Sequence, residues 1–210
     1  MDRRSFIAGS GLLLASPALA AQKASRTFRI IRDGDDIGSH SLDAVLGADG
    51  MEMRITIRIA VKVLGLTAYR YEMDNRELWK GGQLVSVDSR VNDDGERDFS
   101  KVSRKGDGLS VEGSRYAGPV DVSAVTTSYF VPDFLKRQPW ISTQSGKPLD
   151  LSIGADGRSG WWSTSGELNV KLGYDDRREW VGCEFDAGGE LATYEVASQS
   201  GRFGALWSDA

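Results

Sequence analysis

The stretch MEMRITIRIAVKV, residues 51–63, decides the fold class of this chain. Its odd-numbered positions are all apolar, whereas its even-numbered positions are mostly charged or polar. Only a β-strand, whose side chains point alternately to two faces, separates such a pattern into one apolar and one polar face. At about 3.3 Å per residue the stretch spans roughly 43 Å, whereas a common strand has about five or six residues. A strand this long needs a large curved sheet or a shared interior to cover its apolar face.

Turn-forming pairs such as Asp33-Gly34, Asp94-Gly95 and Asp156-Gly157 recur along the chain. Between them lie segments rich in β-branched and aromatic residues, which is typical of strands joined by hairpins. The spacing predicts an all-β fold, a single strongly curved antiparallel meander sheet of about 10–12 strands, between a half-barrel and a barrel. A short terminal strand near 202–207 belongs to this prediction.

One short helix is predicted near 132–138, within TSYFVPDFLKRQPW. Pro132 suits the first turn of a helix, Asp133 suits its positive end and Lys136 suits its negative end. No other segment has a helical pattern, and no linker divides the chain. Residues 21–210 are therefore expected to form a single β domain.

The first twenty residues, MDRRSFIAGSGLLLASPALA, have the features of a cleaved export signal. Arg3-Arg4 precedes a short apolar run, and Ala18-Leu19-Ala20 fits a cleavage site. The run is shorter than the roughly twenty residues of a membrane span. The paired arginines resemble a twin-arginine signal, with ordinary Sec export as the alternative. We expect cleavage near Ala20 and a periplasmic mature protein.

Composition excludes several function classes. The chain has 26 basic and 30 acidic residues, a net charge of −4, which argues against binding nucleic acid or anionic membrane surfaces. An outer-membrane barrel would also alternate, but RDFSKVSRKG carries charges on both faces, so we expect no membrane-spanning protein. The single cysteine, Cys183, forms no internal disulfide; a small apolar strand residue is favoured over an intermolecular bridge or a reactive thiol.

Little in the sequence points to catalysis. His40 is the only histidine; it is either the general base of a hydrolase or isomerase, a ligand contact, or a polar position on an alternating strand. One histidine and one cysteine make a transition-metal site improbable, and the acidic turns are typical of turn chemistry. We therefore predict no metal, no cofactor and no catalytic residues, and we favour a protein that is not an enzyme.

Aromatic side chains are the remaining functional candidates. With His40 they form a predicted ligand-binding set, with core packing as the alternative: His40, Tyr69, Tyr71, Tyr129, Phe130 and Trp140. The preferred hypothesis is a binding or carrier module for an apolar or amphipathic small molecule in the concave face of the sheet. The alternative is a structural or interaction module of the cell envelope, with no small ligand, whose protein partner pairs with open strand edges.

Several motifs occur together in a fixed order: FRIIRDGDDIGSHSLDA, YRYEMDNRELWKGGQL, SRVNDDG, TSYF, TQSGKPLDLSIGADG and GELNVKLGYDDRREWVGCEF. They resemble a family of uncharacterised exported bacterial proteins, a domain of unknown function related to another periplasmic β-rich family of unknown function. The resemblance spans roughly residues 26–197. It implies an antiparallel, barrel-like or half-barrel sheet, and it brings no known reaction or catalytic residue.

Overall fold

The computed structural model describes residues 22–63 and 65–210, without the side chain of Val63. The predicted export signal, residues 1–20, lies outside the described residues. The strands are, in chain order, β1 Gln22–Arg32, β2 Asp35–Gly47, β3 Gly50–Val63, β4 Leu66–Lys80, β5 Gln83–Asp93, β6 Glu96–Lys105, β7 Gly108–Gly113, β8 Ala117–Asp121, β9 Val125–Thr126, β10 Trp140–Ile141, β11 Pro148–Leu149, β12 Leu151–Ala155, β13 Trp161–Gly166, β14 Val170–Tyr174, β15 Trp180–Asp186 and β16 Leu191–Ser200. A 3₁₀ helix spans Pro132–Lys136, and an α-helix, α1, spans Phe203–Asp209. Neither helix of the described residues has the length and apolar character needed to cross a membrane.

Thirteen strands form one curved antiparallel sheet, which confirms the predicted fold class. Their order is β12-β13-β14-β15-β16-β1-β2-β3-β4-β5-β6-β7-β8, so β12 and β8 are its two edges. Within each half of the sheet the strands follow one another as a meander. The halves are joined by β1, which pairs with β2 on one side and with β16 on the other, and this pairing places Ser25 opposite Ser200.

The segment between β8 and β12 forms a small three-stranded sheet with the 3₁₀ helix between two of its strands. The order is β11-β10-β9, with β9 and β10 parallel. The 3₁₀ helix confirms the helix predicted near 132–138, and its Phe134 is fully buried. The Trp140 indole N–H donates to the Phe134 carbonyl at 3.1 Å, which ties β10 to this helix.

The predicted strand near 202–207 is wrong, because this segment is helical. Phe203, Leu206 and Trp207 are spaced three and four residues apart, so one turn of helix places all three on the buried side. Glu179 also favours the helix, since its carboxylate accepts hydrogen bonds from the backbone N–H groups of Phe203 and Gly204 at 3.1 and 3.0 Å. It also forms a buried ion pair with Arg26 at 3.4 Å.

Aromatic rings fill the end of the curved sheet at which α1 lies, called the closed end below. The ring of Trp207 lies 5.2 Å from that of Trp79, 5.6 Å from Phe130 and 5.5 Å from Phe134. Ring pairs at these separations add about 0.5–1.5 kcal/mol each beyond the burial of their area. The closed end is therefore a packed core.

The long apolar face of β3 is divided between two environments. Met51, Met53 and Ile55 lie at the closed end and are almost completely buried. Ile57 and Ile59, farther along the same face, are only partly buried. The strand thus runs from a filled core towards the other end of the sheet, called the open end below, where the packing is incomplete.

A polar group also lies inside the core, next to the aromatic cluster. The Glu77 carboxylate is buried and accepts hydrogen bonds from Asn75, Trp79, Thr126 and Ser128 at 2.8–3.2 Å. Two of these donors belong to β4, and the other two, Thr126 of β9 and Ser128, belong to the segment that follows β8. Glu77 therefore links the large sheet to the segment that covers its inner face.

Candidate functional site

A cavity of about 570 Å³ lies within the curve of the sheet at its open end. This volume is within the range of about 300–1,000 Å³ for small-molecule sites. The lining is mostly apolar, with four tyrosines and a few polar groups: Arg32, Ile37, Ile57, Ile59, Val61, Tyr69, Tyr71, Tyr129, Gln144, Leu168, Val170, Cys183, Phe185, Asp186, Ala187, Gly188 and Tyr194.

One wall of the cavity follows directly from strand register. In the β3–β4 pair, Ile59 lies opposite Tyr71 and Val61 lies opposite Tyr69. Directly opposed residues project to the same face with Cβ atoms about 4.5–5.5 Å apart. The alternating pattern of β3 therefore continues across β4, where the aliphatic side chains are replaced by tyrosines.

The hydroxyl groups of these two tyrosines have polar partners near the open end. Tyr69 donates to Asp93 at 2.8 Å, and Tyr71 donates to Gln144 at 3.4 Å. Burial, followed by the nearby Asp93 carboxylate, raises the pKa of both tyrosines. Both therefore stay protonated at neutral pH, with an apolar ring at the cavity and a hydroxyl group in a polar network.

Tyr129 forms part of the inner wall in an unusual backbone conformation. Its φ is +32°, in the left-handed region that residues other than glycine rarely occupy. The Tyr174 hydroxyl donates to the Tyr129 carbonyl at 2.7 Å, and the ring of Tyr129 lies 5.1 Å from that of Trp180. Such conformations cost of order 1–3 kcal/mol and cluster at functional sites, so the backbone of Tyr129 supports a functional assignment of the cavity.

The opposite wall consists of β14, β15 and β16. Val170, Cys183, Phe185 and Tyr194 project inward from these strands. Burial raises the pKa of the Cys183 thiol, so the cysteine stays protonated and acts as a small apolar wall residue. Ile57, Phe185 and Tyr194 contact both the main core and a small second cluster at the open end, and the cavity lies between these two clusters.

His40 projects from β2 to the inner face of the sheet, opposite Ile57, but it is not among the residues that line the cavity. It is buried, its Nδ1 atom lies 3.3 Å from the Tyr194 hydroxyl, and its ring packs 5.2 Å from that of Trp180. Burial lowers the pKa of His40 to about 3, so the ring is neutral at ordinary pH. A general-base role for His40 has no geometric support, because the ring packs among Phe28, Trp180 and Tyr194 and is not part of the cavity lining.

The structure brings together three of the six residues in the predicted ligand-binding set. Tyr69, Tyr71 and Tyr129 line the cavity, whereas Phe130 and Trp140 are buried in the closed core. Within residues 22–63 and 65–210, no three His, Cys, Asp or Glu side chains are arranged to hold a metal ion.

Sequence reasoning missed the half of the cavity that comes from β1 and the last strands. In the sequence, Phe185 and Tyr194 are typical strand residues, and Arg32 ends a predicted strand just before an acidic turn. The apolar-polar alternation of β15 was the only available signal, and it does not identify which strands face each other.

Comparisons with known proteins agree with this geometry. The family model described as Domain of unknown function (DUF6134) matches residues 28–197. A crystal structure of a beta-barrel-like protein of Domain of Unknown Function DUF1849 from Brucella abortus is similar in fold, with a TM-score of 0.57 and 7% sequence identity over 86% of this chain and 99% of that chain. At this identity the likeness concerns the fold alone. No curated protein matches the sequence.

Proposed function

Since this chain belongs to the DUF6134 family of domains of unknown function, we infer its function from the cavity and propose a non-enzymatic binding or carrier module for an apolar or amphipathic small molecule. The observation that carries the proposal is the division of β3. Its inward face is fully packed at Met51, Met53 and Ile55, and the same face lines a cavity of about 570 Å³ at Ile57, Ile59 and Val61. An apolar ligand would replace water on that surface.

Burial of apolar area supplies the affinity in this proposal. Transfer of apolar surface from water yields about 25 cal/mol per Å², and the tyrosine rings add flat contact area with little rotamer entropy to lose. The polar groups of the cavity lining, which include Gln144 and Arg32, would bind the polar part of an amphipathic ligand. This arrangement is typical of small-molecule sites, which combine an apolar lining with a few oriented polar groups.

Export to the periplasm is part of the proposal. Its support is the leader sequence of residues 1–20, with its arginine pair and its cleavage site. In that compartment a carrier would meet amphipathic molecules of the cell envelope. The full proposal is thus a periplasmic module that shields an apolar molecule from water.

Filling the cavity provides the direct test. Ile59→Trp places an indole in the cavity, whereas Thr56→Trp places the same side chain on the outer face of the same strand. Binding of the apolar dye N-phenyl-1-naphthylamine, followed by its fluorescence, should weaken at least tenfold in Ile59→Trp and stay unchanged in Thr56→Trp. Val61→Trp, closer to the open end, serves as a second filling variant if the first unfolds. Equal dye binding by all of these folded variants would refute the site.

Native mass spectrometry identifies the natural ligand. The mature protein, purified from periplasm without detergent, should show a mass excess that disappears on denaturation. An envelope interaction module is the second candidate, supported by the exposed Leu66 at the tip of the β3–β4 hairpin and by the open edges β8 and β12. A bare native mass together with a protein crosslinked in cells would favour this second candidate.

A further inference from the structure

A second depression adjoins the cavity on its outer side. Its lining is mostly charged and includes Asp33, Asp35, Asp36, Lys62 and Glu190. Arg32, Ile37 and Val61 line both spaces, so they form the boundary between an apolar interior and a polar exterior.

Arg32 has no partner among the residues that the structure describes. Its Nε atom is buried without a hydrogen-bond partner. No described carboxylate lies within 4.0 Å of its guanidinium group, since none of the ion pairs includes Arg32. Arg26 also has a buried Nε without a partner, but its terminal nitrogens donate to Glu179, Gln199 and the Trp180 carbonyl.

The buried Nε atom of Arg32 is costly, because it gives up hydration without receiving a hydrogen bond in return. The planar donor fork of arginine matches a carboxylate or a phosphate, which accepts two parallel hydrogen bonds. We propose that Arg32 binds an anionic group at the end of an alkyl chain that lies in the cavity. This inference rests on the proposed function and specifies its ligand class.

The acidic groups around Arg32 restrict the class of ligand further. Asp36 accepts a hydrogen bond from the Gly38 N–H at 3.0 Å, and Asp186 accepts one from the Gly189 N–H at 3.1 Å, so each of these carboxylates has a backbone partner of its own. The charges of Asp33, Asp35, Asp36 and Glu190 make the outer depression acidic despite Lys62, whereas Asp186 lines the cavity. The acidic outer depression would repel a large anionic headgroup. A ligand with a compact anion at Arg32 and a cationic group farther out would be attracted twice, by the Arg32 guanidinium group and by the acidic depression.

Two sources share this chemistry, namely a fatty carboxylate and the phosphate of a zwitterionic single-chain phospholipid. Four probes of equal chain length separate them: laurate, dodecylphosphocholine, dodecyl maltoside and dodecyltrimethylammonium. Binding to the full mature chain is measured by isothermal titration calorimetry below each critical micelle concentration. We expect dodecylphosphocholine to bind most tightly, then laurate, with the maltoside and the cation at least tenfold weaker.

Arg32→Gln should weaken dodecylphosphocholine and laurate at least tenfold and leave dodecyl maltoside unchanged, and Arg32→Lys should retain part of the preference. Arg29→Gln is the matched control, because Arg29 lies on the same strand and pairs with Glu195 on the exposed face at 2.9 Å. Three results would overturn the inference and leave the binding function standing. These are equal binding of dodecyl maltoside, laurate and dodecylphosphocholine, tightest binding of the cation, or unchanged binding by the Arg32→Gln variant. No binding of any probe would overturn both.

Discussion

Replacing His40 with leucine is expected to remove a pH-dependent loss of stability. His40 is the only histidine of the chain and is buried against Trp180 and Tyr194. Burial lowers its pKa to about 3 in the folded protein, whereas the ordinary pKa of histidine is about 6.5. Between these two values the unfolded chain binds a proton that the folded chain does not. Stability therefore falls as the pH falls from 6.5 towards 3.

The size of the effect follows from the two pKa values. At pH 5, protonation stabilises the unfolded chain by about 2 kcal/mol, and at pH 7 by only about 0.2 kcal/mol. For a chain of this size, 1 kcal/mol corresponds to about 2–4 °C in Tm. From pH 7 to pH 5 the wild type should therefore lose about 4–8 °C more than His40→Leu. The loss of the 3.3 Å contact with Tyr194 acts at both pH values and cancels from this comparison.

Thermal unfolding followed by circular dichroism at pH 5 and pH 7 measures the difference directly. The carboxylates of the chain titrate in both proteins, so their contribution is common to both. The single histidine also gives one imidazole resonance whose NMR titration reports the folded-state pKa. Equal decreases in Tm for wild type and variant, or a folded-state midpoint near pH 6.5, would refute the reasoning.

Three further predictions test the core. Glu77→Gln should gain stability relative to wild type as the pH rises above about 4.5 in urea titrations, because burial raises the pKa of Glu77 and its ionisation destabilises the folded state; a constant difference across pH would contradict this. Trp207→Ala should cost about 3–5 kcal/mol in urea unfolding and the exposed Leu191→Ala under about 0.5 kcal/mol, and similar costs would argue against a packed closed end. Glu179→Gln should cost about 3 kcal/mol by leaving Arg26 buried without its carboxylate, and an unchanged urea midpoint would contradict that role.

The sequence predicts the strands better than it predicts what they face. Alternation identifies β3 and the face that turns inward, because a period of two is a local property of the strand. Met53 and Ile59 are equivalent in that pattern, yet one is packed and the other lines a cavity. The difference depends on strands β14 to β16, which lie more than a hundred residues away along the chain. A local pattern does not indicate which distant strands a residue will face.

The site residues that the sequence did not predict also depend on contacts between distant parts of the chain. Arg32 is the last residue of β1 and precedes a turn rich in aspartate, where charge usually serves solubility. Its position at a cavity arises only when β1 pairs with β16 and brings the turn at Gly188 beside it. The left-handed backbone of Tyr129 is likewise a product of tertiary packing. The helix α1, in place of the strand predicted near 202–207, also depends on a distant residue, because Glu179 accepts hydrogen bonds from the N–H groups of Phe203 and Gly204.

The central position of β1 affects how the chain folds. The strand β1 can pair with β16 only after β16 has been synthesised, since residue 25 pairs with residue 200. Contacts this distant along the chain make folding slow, and an unpaired strand edge can recruit other chains in the meantime. Export after folding, which the twin-arginine-like leader predicts, would let β16 reach β1 in the cytoplasm. Export of an unfolded chain would postpone this closure until the chain is across the membrane.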